Sequence, residues 1–272
     1  KLIFKRTPKN MQLKQNERLD VGHHCSVGAS IGLKALLLSV FFAFSGLATA
    51  ERDSSRDQYR HPAETLEFFG ITPKMDVLEI SPGGGWYTEV LAQYLKGDLL
   101  AAHYDPSSER SYYRNSQNRF ATKMASDPEL YGNVKIQIFD AAAKKLTIED
   151  ESVDAAVTFR NVHNWLSSDT EASSFALFFK ALKPGGLLGV VEHRAPEGTD
   201  RAKMRKSGYM TQNYVVELAQ RAGFVFEESS EVNANEKDTA DYSGGVWTLP
   251  PSLRLGDEDR ERYLAIGESD RM

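Results

Sequence analysis

Cysteine is almost absent from this chain, which contains only Cys25 among its 272 residues. A single thiol excludes an internal disulfide and any zinc site built from several cysteines. The histidine spacings H-x-x-x-H and H-E-x-x-H do not occur either, and we expect no metal site. The G-x-S-x-G pattern of serine hydrolases is also missing.

An excess of basic charge is lacking as well. The chain has 33 Lys and Arg against 38 Asp and Glu, and residues 1–50 alone hold seven basic residues and two acidic ones. The remainder is therefore strongly acidic. Because surfaces that bind phosphate backbones are basic, this balance argues against nucleic acid as a partner. We expect a small-molecule substrate instead.

The chain also lacks an uninterrupted apolar run of the roughly 20 residues that cross a bilayer. Residues 35–48 are uncharged, follow Lys34 and precede Ala48-Thr49-Ala50, a pattern typical of a secretory signal peptide. Since the first methionine is Met11, we expect residues 1–50 to be a signal peptide with residues upstream of it. We predict export, in a bacterium to the periplasm, with no stable membrane span after cleavage. An uncleaved membrane anchor is the alternative.

The rest of the chain predicts strands that alternate with helices. Residues 51–60 are polar and are interpreted as a linker, and residues 61–272 as one domain in which 232–272 form an irregular insertion and a helix. The predicted strands are residues 75–80, 98–104, 134–139, 153–159, 187–192 and 224–228. This alternation predicts an α/β fold, a mostly parallel doubly wound sheet with helices on both faces.

A glycine-rich turn follows the first of these strands. Ser81-Pro82-Gly83-Gly84-Gly85 leads into a helix whose apolar residues recur at helical spacing. Glycines let the backbone approach a ligand closely, and a helix N-terminus offers free N–H groups. The acidic residue Glu79 lies two positions before the turn. A nucleoside-bearing ligand with a polar tail suits such a site.

This segment resembles motif I of class I S-adenosylmethionine-dependent methyltransferases, with Ser81 in place of the first glycine. Lys183-Pro184-Gly185-Gly186 is similar to a turn common in that class, and the resemblance covers about residues 60–230. Arg60-His61-Pro62 and the run from Pro82 to Thr88 further resemble a group of exported bacterial methyltransferases. The resemblance implies a Rossmann-like class I fold and S-adenosylmethionine as cofactor.

The resemblance also implies which residues bind the cofactor. Glu79 and the backbone of Ser81, Gly83, Gly84 and Gly85 would hold its methionine end. Asp105 would bind the ribose, with His103 in a neighbouring position. Asp140 and Ala141 would contact the adenine. The polar residue after the next strand, Asn161, would face the methyl group.

Transfer to an O–H or N–H acceptor needs a base. The candidates are His163, His193 and His61, because an imidazole titrates near neutral pH.

Two other function classes remain open. One is an exported Rossmann-like protein that binds a small ligand without catalysis. The other is an NAD-dependent oxidoreductase, although Thr88 stands where its glycine motif needs the third glycine. After the strand at 224–228 no further apolar strand follows, so we expect the seventh strand of the class I sheet to be truncated and the sheet edge to be open.

Overall fold

The computed structural model describes residues 1–7 and 52–272. The predicted signal segment, residues 35–50, lies outside the described residues. The strands, in chain order, are β1 (Leu2–Arg6), β2 (Val77–Ile80), β3 (Leu99–His103), β4 (Val134–Asp140), β5 (Lys145–Leu146), β6 (Val153–Phe159), β7 (Leu182–Val191) and β8 (Phe224–Ser229). The helices are α1 (Asp57–Arg60), α2 (Pro62–Phe68), α3 (Trp86–Tyr94), α4 (Ser111–Ser126), α5 (Pro128–Tyr131), α6 (Val162–Ser167), α7 (Glu171–Ala181), α8 (Arg201–Ser207), α9 (Gln212–Arg221) and α10 (Arg260–Ile266). A 3-10 helix spans Gly245–Thr248.

The strands form one eight-stranded sheet in the order β5-β4-β3-β2-β6-β7-β1-β8. The pairs β2–β3, β2–β6, β3–β4 and β6–β7 are parallel. Apolar side chains form one cluster around Leu78 and Phe178 and a second around Val77 and Leu91. Because Val77 and Leu78 are consecutive in β2, they point to opposite faces of the sheet, and both faces are covered. The predicted doubly wound α/β fold is confirmed.

The expectation of a truncated seventh strand and an open edge is wrong. β1 lies between β7 and β8 and pairs antiparallel with both. Leu2 and Phe4 are fully buried in the cluster around Leu78. In the class I sheet the seventh strand follows the sixth in sequence, whereas here the apolar run Leu-Ile-Phe at the other end of the chain fills its position. Residues 1–7 therefore belong to the domain that was expected to begin at residue 61.

The first and last residues of the chain follow one another along β7. Met272 exchanges two backbone hydrogen bonds with Glu192, of 3.0 and 3.1 Å. Leu2 pairs with Val190, so the register places Lys1 opposite Val191. The C-terminal residues and β1 thus form one continuous line of antiparallel pairing.

The interpretation of residues 51–60 as a linker is also wrong. Within this stretch α1 packs onto the domain, and Arg60 is only 2% exposed. The backbone carbonyl of Arg60 accepts a hydrogen bond of 3.1 Å from the hydroxyl of Tyr87 in α3. A charged composition suggested a solvated segment, but these charges are used in internal contacts. In the part of the chain that the structure describes, no helix is both long and apolar enough to cross a membrane.

Candidate active site

The glycine-rich turn connects the end of β2 to the start of α3. Ser81, Gly83 and Gly85 have φ of 55°, 60° and 78°, in the left-handed region that glycine adopts without strain. A Cβ added to Gly83 or Gly84 would meet no atom within 4 Å, so open space adjoins this backbone. Gly85 caps α3 without a side-chain hydrogen bond, which leaves the first amides of the helix available. The backbone of this turn can therefore contact a ligand directly.

That open space belongs to a cavity of about 500 Å³, a size typical of small-molecule sites. Seven of the residues predicted for cofactor binding or catalysis line it: Glu79, Ser81, Gly83, Gly84, Asn161, His163 and His193. The lining also includes three arginines and several aromatic residues: Arg56, Arg60, Arg160, Trp86, Tyr87, Phe159 and Trp247.

Glu79 lies beneath the turn and is 1% exposed. Its Oε2 accepts a hydrogen bond of 2.6 Å from Thr88 Oγ1. Burial raises the pKa of Glu79 to about 7, although Thr88 and Lys123 act in the opposite direction. A buried carboxyl group that borders the cavity is suited to bind a cationic ligand group, which would favour its ionised form.

His103, at the end of β3, contacts the turn. Its Nδ1 accepts from the backbone N–H of Tyr104 at 2.8 Å, so Nε2 carries the proton and donates to the carbonyl of Gly83 at 3.2 Å. Burial lowers the pKa of His103 and keeps the ring neutral. The sequence placed His103 near a ribose, whereas the structure shows that it holds the glycine-rich turn against β3.

The predicted ribose and adenine residues, Asp105, Asp140 and Ala141, do not line the cavity. Asp105 accepts from Ser107 and pairs with Lys145 at 3.0 Å, and these contacts lower its pKa to about 2. Asp140 Oδ1 accepts from the backbone amides of the second and third residues after it, at 3.0 Å each. Both carboxylates therefore stabilise turns at the ends of β3 and β4.

Asn161 joins the ends of two parallel strands. Its Nδ2 donates to the carbonyls of Ile80 and Ser81 at 3.2 Å each and to Thr158 Oγ1 at 3.0 Å. These bonds fix the end of β6 to the start of the glycine-rich turn. The side chain lines the cavity, with its amide nitrogen turned toward the protein backbone.

His163 and Glu192 form a buried pair. His163 Nδ1 lies 3.0 Å from Glu192 Oε1, and the His163 backbone N–H donates to Oε2 at 3.2 Å. Because a carboxylate only accepts hydrogen bonds, Nδ1 carries the proton and Nε2 has the free lone pair. Nε2 has no hydrogen-bond partner among the described residues, and His163 lines the cavity. This is the geometry of an oriented general base.

His193 adjoins this pair, with its ring centre 5.3 Å from that of His163. Its Nδ1 is 2.5 Å from Ser269 Oγ, and its backbone N–H donates to Glu192 Oε1 at 2.8 Å. Burial first, and then the nearby His163 and arginines, hold the pKa of His193 well below its usual range. The ring is neutral and is a weaker candidate for accepting a proton than His163.

His61 lies elsewhere. It lines a separate cavity of about 200 Å³, and its Nδ1 is 3.1 Å from Asn233 Oδ1. It stands between α1 and α2 with a left-handed φ of 42°. The structure therefore does not bring this third candidate base to the main cavity.

The absence of the H-x-x-x-H and H-E-x-x-H spacings does not exclude a group of three potential metal ligands. His163, Glu192 and His193 each offer a ligand atom, and these atoms lie within 4.8 Å of one another. Residues distant in sequence meet here because α6 and the end of β7 adjoin. Both oxygens of Glu192, however, already accept hydrogen bonds from N–H groups, an arrangement that orients imidazole rings.

The arginine-rich wall of the cavity was missed by the sequence reasoning. Arg56 precedes α1, Arg60 ends it, and Arg160 follows β6, so the three meet only in the folded chain. Arg60 belongs to the Arg60-His61-Pro62 motif, which served to identify a resemblance but received no role. That motif was the one local signal that could have drawn attention to it.

Comparisons with known proteins agree with this fold. Residues 78–190 match the family described as "Methyltransferase domain". A crystal structure of a SAM dependent methyltransferase from Aquifex aeolicus is similar with a TM-score of 0.53 and 19% identity, covering 67% of this chain and 89% of that one. The structure of phosphoethanolamine N-methyltransferase 2 of Haemonchus contortus in complex with S-adenosyl-L-methionine has a TM-score of 0.48 and 18% sequence identity. The match covers 61% of this chain and 37% of that one.

A search of the curated proteins finds no match to the chain. The match to a methyltransferase domain argues against the alternative of an NAD-dependent oxidoreductase. The glycine-rich turn, the cavity beside it and buried Glu79 fit S-adenosylmethionine, the cofactor of that family. Residues 78–190 match a methyltransferase domain, and the sheet that contains them has the Rossmann-like class I fold, for which S-adenosylmethionine is the cofactor.

Proposed function

We propose that the chain methylates a small molecule that binds in the main cavity, with His163 as the general base. The observation that carries this proposal is the His163–Glu192 pair, which leaves Nε2 of the imidazole free at the cavity. The glycine-rich turn and Glu79 would hold the methionine end of the cofactor. When bound, S-adenosylmethionine supplies an electrophilic methyl group on a sulfonium.

The protein has to position the acceptor against the methyl group and to remove one proton from the acceptor. A lone pair on the acceptor forms the new bond to the methyl carbon as the carbon–sulfur bond breaks and its electrons return to sulfur. The proton of the acceptor O–H or N–H passes to His163 Nε2. Glu192 stabilises the resulting imidazolium through Nδ1–H, and His193 remains neutral beside it. Proton transfer to a positioned base contributes about 10²–10⁴ in rate.

The first test is calorimetric titration of S-adenosylhomocysteine into the full chain. We expect micromolar binding that is abolished by Gly83→Arg, because that side chain would fill the space beside the turn. Gly198→Arg is the matched control, since Gly198 also has a positive φ, of 83°, and open space at its Cβ but lies outside the cavity lining. It should leave the affinity within twofold of the unmodified chain.

Absence of binding by the folded chain would contradict the proposal. The result would favour the alternative of an exported protein that binds another small ligand without catalysis. If binding is found, acceptors with phenol, amine or thiol groups are screened by release of S-adenosylhomocysteine, and a pH profile that depends on His163 is expected.

For location, we propose export of the uncleaved chain, with residues 1–7 on the same side of the membrane as residues 52–272. The basic flank and short apolar run of residues 34–48 support export. Retention is supported by β1, because a cut after Ala50 would sever this strand from the chain that follows. The pairing of β1 with β7 and β8 also argues against a membrane-spanning anchor between residues 7 and 52. Mass spectrometry of the exported protein tests this: a peptide that spans residues 50 and 51 is expected, and an N-terminus at Glu51 would contradict it.

A further inference from the structure

The main cavity contains cationic groups that the methyl-transfer chemistry described above does not use. We infer that the methyl acceptor is a small oxyanion, bound through a carboxylate or phosphate group by Arg60 and Arg160. The inference rests on the proposed function and adds the chemical class of the acceptor.

Arg60 is buried without adequate partners. It is 2% exposed, and none of its guanidinium nitrogens donates a hydrogen bond within the described part of the chain. Its Nε lies 3.7 Å from Glu268 Oε2, beyond hydrogen-bond distance, and its Cζ stands 4.3 Å from the centre of the Trp86 ring. Buried arginines are normally paired, and five unused N–H donors at a cavity wall indicate a missing acceptor.

Glu268 does not supply that acceptor. Its carboxylate is already engaged by Arg56 Nε and by Arg271 Nη2. Burial would raise the pKa of Glu268, but Arg271 and the other neighbouring arginines outweigh it and lower the pKa to about 2. Three arginines, Arg56, Arg60 and Arg271, therefore lie within 4 Å of one carboxylate. Burial, followed by the charge of Arg160, lowers the pKa of Arg60 below its usual range, which an arriving anion would reverse.

Arg160 is the second cation at the cavity that donates no side-chain hydrogen bond within the described residues. Its guanidinium makes no hydrogen bond or ion pair with the described residues. Its backbone is held at a φ of 63°, and its N–H donates to the carbonyl of Val191 at 2.7 Å. Such a conformation in a non-glycine residue costs energy and is concentrated at binding sites. Directly after it comes Asn161, so Arg160 stands where β6 reaches the glycine-rich turn.

The other acidic groups at the cavity are used or solvated. Glu89 pairs with Lys123 at 2.9 Å, and exposed Asp53 accepts from the backbone of Ser55. Glu79 lies under the turn and bonds Thr88. Among the described residues, none of these carboxylates forms a hydrogen bond or ion pair with Arg60 or Arg160. A ligand is therefore left as the source of negative charge.

The cofactor does not neutralise the positive charge of the arginine-rich wall of the cavity. S-adenosylmethionine carries a sulfonium and an ammonium against a single carboxylate, so its binding adds net positive charge to the cavity. An oxyanion on the acceptor compensates both the cofactor and the arginines, and guanidinium groups bind carboxylate or phosphate through paired N–H bonds. The indole Nε1 of Trp86, buried without a partner, is a further donor on the same wall.

The test uses the full chain saturated with S-adenosylhomocysteine and titrated with benzoate or with inorganic phosphate at constant ionic strength. We expect one of the two probes to bind and Arg60→Met to weaken it tenfold or more, since a hydrogen bond to a charged group contributes about 1.5–3 kcal/mol. Arg160→Asn should do the same, because asparagine tolerates the left-handed backbone. Whichever probe binds distinguishes a carboxylate acceptor from a phosphate one.

Arg52→Met is the matched control. Arg52 also stands over Trp86, at 4.9 Å, but pairs with Asp57 and does not line the cavity. It should change neither affinity by more than twofold. Binding of S-adenosylhomocysteine should stay within twofold in the Arg60 and Arg160 variants.

Two results would overturn the inference alone. The first is S-adenosylhomocysteine binding without binding of either anion. The second is a loss of S-adenosylhomocysteine binding in Arg60→Met or Arg160→Asn that equals the loss of anion binding, which would assign these arginines to the cofactor carboxylate. Failure of the unmodified chain to bind S-adenosylhomocysteine would instead overturn the proposed function and this inference with it.

Discussion

Replacing Phe4 by alanine tests whether β1 is an integral part of the sheet. Phe4 is fully buried between β7 and β8, and its ring centre lies 5.6 Å from that of Phe226. Truncation of a buried phenylalanine to alanine costs about 3–5 kcal/mol in transfer free energy and cavity formation. Domains of this kind are stable by only about 5–15 kcal/mol, so the loss is a large fraction of the free energy of unfolding.

Urea unfolding followed by circular dichroism measures the effect. The midpoint should fall strongly in Phe4→Ala with little change in the m-value, because the surface exposed on unfolding is nearly the same. Lys5→Ala is the matched control in the same strand. Lys5 is exposed, and its substitution should stay within about 0.5 kcal/mol of the unmodified chain. A loss below about 1 kcal/mol in Phe4→Ala would refute the placement of β1.

Three further predictions concern the cavity. Because burial raises the pKa of Glu79 from 4.5 to about 7, the folded chain holds a proton between these values that the unfolded chain lacks. The free energy of unfolding should therefore fall as pH rises through this window, while the affinity for S-adenosylmethionine should rise. Calorimetry on Glu79→Gln should show that both pH dependences are lost. If they persist in this variant, Glu79 is not the titrating group. Nitrogen NMR should find His163 protonated at Nδ1, and Glu192→Gln should alter that tautomer preference; an Nε2–H tautomer in the unmodified chain would exclude the base proposed here. His103→Ala should weaken S-adenosylhomocysteine binding by releasing the glycine-rich turn, whereas His61→Ala should not, and equal effects in calorimetry would contradict the separation of the two cavities.

The parallel half of the sheet was predictable because its signal is local. β6 was predicted with the bounds observed, since an apolar run between polar turns is typical of a buried strand. β1 could not be placed in this way, because its partners lie at the other end of the chain. Pairing over that separation depends on the assembled core and leaves no local pattern.

The residues of the candidate site were likewise predictable where they are contiguous in sequence and not where they meet only in the folded chain. The glycine-rich turn is contiguous in sequence, so its backbone geometry follows from its residues. The arginine wall and the His163–Glu192 pair assemble from segments far apart in the chain, and no spacing rule connects them. Asp105 and Asp140 show the converse limit: an acidic residue at a strand end is equally suited to cap a turn, and both do so here.

The end-to-end placement of Met272 and Lys1 has a consequence for how the sheet is assembled. β1 precedes the other described strands in the chain, but it pairs only after β7 and β8 exist, so its contacts close a loop of more than 180 residues. Contacts of such long range slow folding. A peptide bond from Met272 to Lys1, with the chain reopened within residues 8–51, would keep the strand order and make β1 the last strand in sequence. Such a permuted chain should refold faster to the same sheet.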